Sequence, residues 1–309
     1  MGRYVARRLL QMIPVFIGST LLVFLMMYAL PGDPVRALAG EQHVDASQIA
    51  SMKASLGLDQ PIWQQYLNYL GNLFQGDLGN QIGTQRPVAE VIAEAYPITV
   101  RLAIFAFVFT VVAGISLGIV AGLKAESLRD RGLLGLTLVL ISMPSFVLGF
   151  LVQYLFAFQL GIANPNVSLE PTNTELIMPA IVLASLSLAY VARLTRTSVA
   201  ENLRADYMRT AVAKGLPRRR VIGVHLMRNS LIPVVTFLGT DIGALMGGAI
   251  VTEGVFNVKG VGSLVFEALR KREGATVVGI VTLLVVVYLV ASLLVDLLYA
   301  VLDPRIRYA

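Results

Sequence analysis

The sequence contains no cysteine in its 309 residues, which excludes disulfides, iron–sulfur clusters and thiolate zinc sites. Histidine is nearly absent as well: His43 and His225 are the only two, far apart in the chain. A histidine-based metal site is therefore not expected. Charge is scarce too, at 14% of residues, where a soluble domain carries roughly a quarter. The five lysines include none that follows a glycine and precedes serine or threonine. The phosphate-cradling GxxxxGK[ST] loop is thus missing, and the chain must draw energy from a partner or from an ion gradient. What is present is apolar: 56% of the residues are hydrophobic, and long uncharged stretches alternate with short charged ones. Apolar runs of about 18 residues or more with almost no charge mark membrane-spanning helices.

Six such runs predict spans at 9–30, 97–122, 133–159, 177–199, 231–252 and 277–301. Arg3, Arg7 and Arg8 before the first run imitate a signal peptide. The uncharged run from Leu9 to Leu30 nevertheless exceeds a signal core of roughly 7–15 residues, and Tyr28-Ala29-Leu30-Pro31 offers no small-residue cleavage site. Basic residues set the orientation. With the N-terminus inside, the segments 1–8, 124–131, 193–228 and 303–309 hold most of the Lys+Arg. The segments 31–96, 164–175 and 253–273, longer in total, hold fewer than half as many, with Arg101 at a span end. This asymmetry places both termini in the cytoplasm, and it explains the net charge of +6 without nucleic acid. The expected fold is an all-α polytopic membrane protein with six transmembrane helices. It divides into a cytoplasmic N-terminus and first span (1–30), an extracytoplasmic helical segment (31–96) and a five-helix core (97–309) with a cytoplasmic loop at about 200–230.

The extracytoplasmic segment predicts three amphipathic helices. The first starts near Asp45 and Gln48, carries Ile49, Met52 and Leu56, and stops at Gly57. Asp59 and Pro61 open a second, with Ile62, Tyr66, Tyr69, Leu70 and Leu73 on one face and Gly76 at its end. Pro87 begins a third, short helix with Val88, Val91 and Ile92. Packing on the bundle and docking of a partner both fit these faces. Within the spans, Gly114, Gly118 and Gly122 recur at four-residue spacing, as do Gly239, Gly243 and Gly247; each set lines one helical face where helices can approach closely. Fixed packing and a sliding interface are both open. Pro144 in Ser142-Met143-Pro144-Ser145 predicts a kink in the third span.

Asp241 falls in the middle of the fifth span, where a carboxylate costs about 2.5–3.5 kcal/mol on insertion scales. It either lines a transport path or is hydrogen-bonded inside the bundle. Asp296, near the inner end of the last span and in reach of Arg305 or Arg307, reads as structural. An intramembrane enzyme would cluster ionisable groups at depth, but these two aspartates lie on different spans with no histidine beside them.

The segment 193–228 carries the most information. From Glu201 to Lys214, Leu203, Tyr207, Ala211 and Val212 share a helical face, and Gly215-Leu216-Pro217 stops that helix. Pro217 opens a second short helix through Val221 and Val224. The stretch Asp206-Tyr207-Met208-Arg209-Thr210-Ala211-Val212-Ala213-Lys214-Gly215-Leu216, followed by Arg228-Asn229-Ser230-Leu231-Ile232-Pro233, resembles the coupling ("EAA") loop of ABC importer permeases, in particular the peptide/nickel branch. Leu30-Pro31-Gly32-Asp33-Pro34, Leu56-Gly57-Leu58-Asp59-Gln60-Pro61, Gly76-Asp77-Leu78-Gly79, Glu253-Gly254-Val255-Phe256, Gly260-Val261-Gly262 and Leu302-Asp303-Pro304-Arg305-Ile306-Arg307-Tyr308 extend the likeness over nearly the whole chain. It is closest to the first of the two dipeptide/oligopeptide permeases. The general motif starts with glutamate and alanine where this chain has Arg209-Thr210-Ala211, so no glutamate-specific contact carries over.

The resemblance implies an ATPase-coupling role for Asp206, Tyr207, Arg209, Thr210, Ala211, Ala213, Lys214, Gly215 and Leu216. It implies an extracytoplasmic gate between Glu253 and Gly262, with Glu253 and Phe256, for which a packed re-entrant turn is the alternative; Asp241 joins these as a pathway candidate. The implied partners are a homologous second permease, two ABC ATPase domains and an extracytoplasmic binding protein in a cell membrane, with di- or oligopeptides as substrate. ATP and magnesium belong to the ATPases, and no cofactor, metal or catalytic residue is expected in this chain. On composition alone an ion-gradient-driven secondary transporter is the alternative.

Overall fold

The computed structural model describes residues 2–29, 46–55, 59–81, 84–271 and 273–302. The motif at 30–34, the helix stop at Gly57 and the C-terminal arginines 305 and 307 lie outside them. Among the described residues all regular structure is helical, apart from an isolated bridge between Asn80 and Pro87. The helices are α1 (Gly2–Ala29), α2 (Ala46–Ser55), α3 (Ile62–Phe74), α4 (Val88–Gly122), α5 (Leu128–Ser142) and α6 (Ser145–Gln159). They continue as α7 (Ile177–Leu203), α8 (Asp206–Ala213), α9 (Arg218–Ser230), α10 (Ile232–Phe256), α11 (Val261–Lys271) and α12 (Gly274–Leu302). Four of these (α1, α4, α7 and α12) are each long and apolar enough to cross a membrane, and α10, with 25 residues, covers the fifth expected run. The protein is an all-α polytopic membrane protein.

Two expectations change. The short helix expected at Pro87 is not separate: Val88 opens α4, which runs unbroken for 35 residues to Gly122. Pro97 inside it removes one backbone donor without ending the helix. The third run is not kinked but broken. Met143 is extended (φ −94°, ψ 130°) and so is Pro144 (φ −58°, ψ 140°), because a residue before proline is driven out of the helical region. Two extended residues in succession turn α6 by 110° from α5. Each half is 15 residues long, about 22 Å, too short to cross a hydrocarbon core of about 30 Å alone.

The chain forms two compact units, Met1–Thr99 with Lys259–Val290 and Val100–Val258 with Ala291–Ala309. In the first, Val88, Ile92 and Ala95 of α4 pack with Val261 and Val265 of α11 and Ile280 of α12. The α3 face read from the sequence packs inward: Tyr66 is buried with Phe24 of α1 and Val278 of α12. The Tyr66 hydroxyl pairs with Thr20 Oγ1 at 2.9 Å and donates to the Ile17 carbonyl, and the Tyr69 hydroxyl pairs with Thr282 Oγ1 at 2.6 Å. Ile62 alone of that face stays exposed, beside Trp63, Leu67 and Phe74. Gly76 (φ +79°) ends α3 as expected, with Gly76 N–H on Leu73 O and Asp77 N–H on Asn72 O in a left-handed cap.

The second unit is built on α7. Leu102 and Ala106 of α4 bury against Ala180 and Ala184 of α7 and against Leu245 and Ala249 of α10, and Val191 packs on Val234 and Leu238. Here the first glycine set makes its contacts. A Cβ on Gly114 would stand 2.9 Å from Val191 Cγ1, one on Gly118 2.6 Å from Ala192 O, and one on Gly122 2.8 Å from Arg196 O. The second set differs along its length. A Cβ on Gly239 would meet Val295 at 2.9 Å, Gly243 is buried, and Gly247 has nothing within 4 Å. The close approach expected at Gly247 is absent among the described residues.

Candidate functional site

Two clusters lie at opposite ends of α7, which at 27 residues is about 40 Å long. At its C-terminal end Leu203 leads through Arg204 and Ala205 into α8. Ala205 is extended (ψ 150°), so α8 turns away from α7 instead of prolonging it. Its end is a Schellman cap: Gly215 adopts φ +73°, its N–H reaches Val212 O at 2.9 Å, and Leu216 N–H reaches Ala211 O at 3.4 Å. Only glycine takes that backbone conformation at no steric cost. Pro217 then caps α9, accepting the N–H groups of Arg220 and Val221.

The buried face of α8 is Met208 and Ala211, packed with Val199 of α7 and Val221 and Leu226 of α9; Ile119, Leu123, Tyr207, Leu216, Ile222 and Met227 complete the cluster. Tyr207 is further fixed by donating to Asn202 Oδ1 at 2.7 Å, and Asn202 donates to the Ser198 carbonyl. The helical face expected from the sequence is therefore displaced on one side. Val212 is 64% exposed, with Met208 inside in its place, and Val224 and Leu203 also face out. Ala211 lies within the fold, so it braces α8 and is not available to touch another protein. Asp206, Arg209, Thr210, Ala213, Lys214 and Gly215 form the outward surface. Asp206 and Arg209 approach only to 3.9 Å, both largely exposed, a contact worth little in water.

At the other end of the same unit, Glu253 and Phe256 close α10 and are fully buried. Asn257 takes a left-handed φ of 54°, and Val258 N–H returns to Glu253 O at 2.9 Å. Phe256 packs against Gly149 of α6, where an added Cβ would meet Val255 at 2.9 Å and Phe256 at 3.6 Å. Gln153 of α6, which the sequence did not single out, ties this corner together. Its Nε2 donates to the carbonyls of Pro165 and Val255 at 2.8 and 3.0 Å, while Val167 N–H reaches Phe256 O. Arg101 of α4 holds the same loop through Pro171 O and Asn173 Oδ1. Glu175 accepts the Ser168 hydroxyl at 2.7 Å. That bond, followed by the Ser168 backbone N–H, keeps its carboxyl below the usual glutamate range.

Asp241 sits between these ends, on α10 against α7. Ser187 Oγ donates to its Oδ1 at 2.7 Å, and the residue is only 7% exposed. Oδ2 has no hydrogen-bond partner among the described residues. The structure thus buries Asp241, Glu253 and Phe256 within the fold of this chain. The outward residues of α8 gather at one end, the Glu253–Phe256 corner lies at the other, and Asp241 belongs to neither cluster.

Comparison with known proteins covers nearly the whole chain. Residues 114–308 match the family described as binding-protein-dependent transport system inner membrane component, and residues 1–103 match the N-terminal part of such membrane components. The chain is 39% identical to the dipeptide transport system permease protein DppB of Escherichia coli (strain K12), over 100% of this chain and 99% of that protein. It is 38% identical to the di/tripeptide transport system permease protein DppB of Pseudomonas aeruginosa (strain UCBPP-PA14), over 99% and 98%. It is also 39% identical to the glutathione transport system permease protein GsiC of E. coli (strain K12), over the full length of both. With six apolar runs, a helix projecting beyond α7 and this full-length similarity, the chain belongs to the family of inner-membrane permease components of binding-protein-dependent transport systems.

Proposed function

We propose that this chain is one of two homologous permease subunits of an ATP-driven importer of short peptides, with both termini and α8 in the cytoplasm. The observation that carries the reading is the construction of α8. It is clamped at both ends, packed on α4, α7 and α9 through Met208 and Ala211, and still presents Arg209, Thr210, Ala213 and Lys214 outward. A short rigid helix braced to the spans is what a neighbouring ATPase needs to displace them. Nucleotide and magnesium then bind in that ATPase, and this chain performs no catalysis. The short-peptide substrate is supported by the relatives' names for dipeptide, di/tripeptide and glutathione transport. Selection among these falls to the extracytoplasmic binding protein.

The test is placed on the outward surface. Ala213→Asp should leave the amount of membrane-inserted protein unchanged and abolish vanadate-sensitive uptake of labelled alanyl-alanine. Co-purification of the ATPase subunits should be lost in the same variant. Normal uptake by Ala213→Asp would overturn the docking role of α8. Uptake that resists vanadate but collapses with a protonophore would overturn the ATP-driven reading.

A further inference from the structure

Asp130 and Arg196 form the most enclosed ion pair among the described residues. Arg196 Nε donates to Asp130 Oδ1 at 2.8 Å and Nη2 donates to Oδ2 at 2.6 Å, the two-pronged geometry in which guanidinium and carboxylate bind best. The Asp130 side chain is 2% exposed. The same carboxylate accepts the Glu126 N–H at 2.8 Å, and Ser127 Oγ accepts the Asp130 N–H, so the reciprocal cap that starts α5 is also the grip on α7. Glu126 is held at φ +68° by that turn. The main chain of Arg196 is engaged as well, since its carbonyl is the atom on which Gly122 of α4 closes. Ala121, Leu133 and Ala192 fill the space beside it. Three helices are thus locked at one level, one turn before Val199 enters the α8 cluster. From this joint α5 leads through its break to α6, whose Gly149 and Gln153 hold Val255 and Phe256.

We propose that Asp130 and Arg196 are a positioning pair that makes α5 move with α8, so that displacement of α8 reaches the α6–α10 corner at Val255–Phe256. The inference rests on the reading of α8 as the ATPase-docking helix. A neutral contact there could slip. A bidentate pair resists slipping, because separating it leaves the buried Asp130 carboxylate without its charged partner, even though the Arg196 side chain is 24% exposed. The pair touches neither a substrate nor the outward face of α8; it acts through the helices that it joins.

The measurement uses the whole complex, this chain with its second permease, ATPases and binding protein in proteoliposomes. Its readout is labelled alanyl-alanine imported per ATP hydrolysed. Asp130→Asn and Arg196→Gln should each keep hydrolysis within about twofold while import falls about tenfold or more, and the double variant should be no worse than the worse single one, as for two groups acting as a unit. Arg196→Lys, which keeps the charge and loses the fork, should give an intermediate ratio and guards against a single variant that does not fold. An unchanged ratio in the single variants would overturn the proposal. So would import and hydrolysis falling together in proportion to folded complex, the result of a merely structural role. Ala213→Asp is measured alongside. If it uncouples while the pair variants do not, only this inference fails; if it imports normally, the coupling reading beneath it fails.

Discussion

A methyl group added at Gly118 would stand 2.5 Å from Thr195 Cβ and 2.6 Å from the Ala192 carbonyl oxygen. The carbonyl is main chain and cannot swing aside, so α4 must shift along much of its contact with α7. Gly118→Ala is expected to destabilise the protein by about 1–3 kcal/mol, read as a lower thermal midpoint in detergent. Gly247→Ala is the internal control. With nothing within 4 Å of the new methyl, it should be neutral or gain up to about 1 kcal/mol from helix propensity. Equal losses at the two positions would contradict the packing described. Four-residue spacing made both glycine sets legible as helical faces, but a face says nothing of what stands opposite, and among the described residues nothing lies within 4 Å of a Cβ at Gly247. Asp241 shows the same limit. Its depth was legible from the length of its span; its Ser187 partner, 54 residues away, was not. Asn at 241 keeps the shape and still accepts the Ser187 hydroxyl. Asp241→Asn should therefore leave uptake nearly unchanged while Asp241→Leu lowers it, and loss of uptake in the Asn variant would show that the charge itself is used.

For the elements, local chemistry was easier to read than direction. Gly215-Leu216-Pro217 announced the end of α8, and the structure supplies the left-handed glycine and both cap hydrogen bonds. The inward face was harder. Eight residues make little more than two turns, and Val212 and Met208 compete as partners for Tyr207 and Ala211. Burial against Val199, Val221 and Leu226 decides for Met208, which no pattern within α8 could reveal. Pro144 was legible as an interruption, whereas the 110° turn needed both Met143 and Pro144 to be extended. At Gly215 the two substitutions should differ. Alanine tolerates the left-handed conformation at a cost of about 1–2 kcal/mol and should reduce uptake partially. Proline is locked at negative φ and lacks an N–H, so it can neither adopt the left-handed conformation of Gly215 nor bond Val212 O. Gly215→Pro should abolish uptake with membrane insertion intact, since the cap stabilises no span. Uptake assays beside a membrane-fraction blot check this; equal activity of the two variants would mean the cap is not needed.

At the scale of the whole molecule, basic residues and helix lengths bear on which way the protein faces. The segments expected inside, though shorter in total, hold more than twice the Lys+Arg of those expected outside, a bias set during insertion. That asymmetry is read from composition alone, and it predicts both termini inside. The division into two compact units is not legible there, since two of its bounds fall inside α4 and α12, where no break in the sequence marks them. The geometry of α7 makes orientation testable. At about 40 Å it exceeds a hydrocarbon core of about 30 Å, so the loop before Ile177 and the α8–α9 segment after Leu203 must emerge on opposite faces. The natural chain has no cysteine, so a single introduced thiol reports alone. Glu170→Cys lies in the first of these loops, and Arg219→Cys lies on the exposed start of α9. Among the described residues neither side chain makes a hydrogen bond or ion pair. A membrane-impermeant maleimide should label Glu170→Cys in intact cells and Arg219→Cys only after permeabilisation. The opposite pattern would put Arg209, Thr210, Ala213 and Lys214 outside the cell, beyond the reach of any cytoplasmic ATPase, and the coupling role of α8 would fall with the orientation.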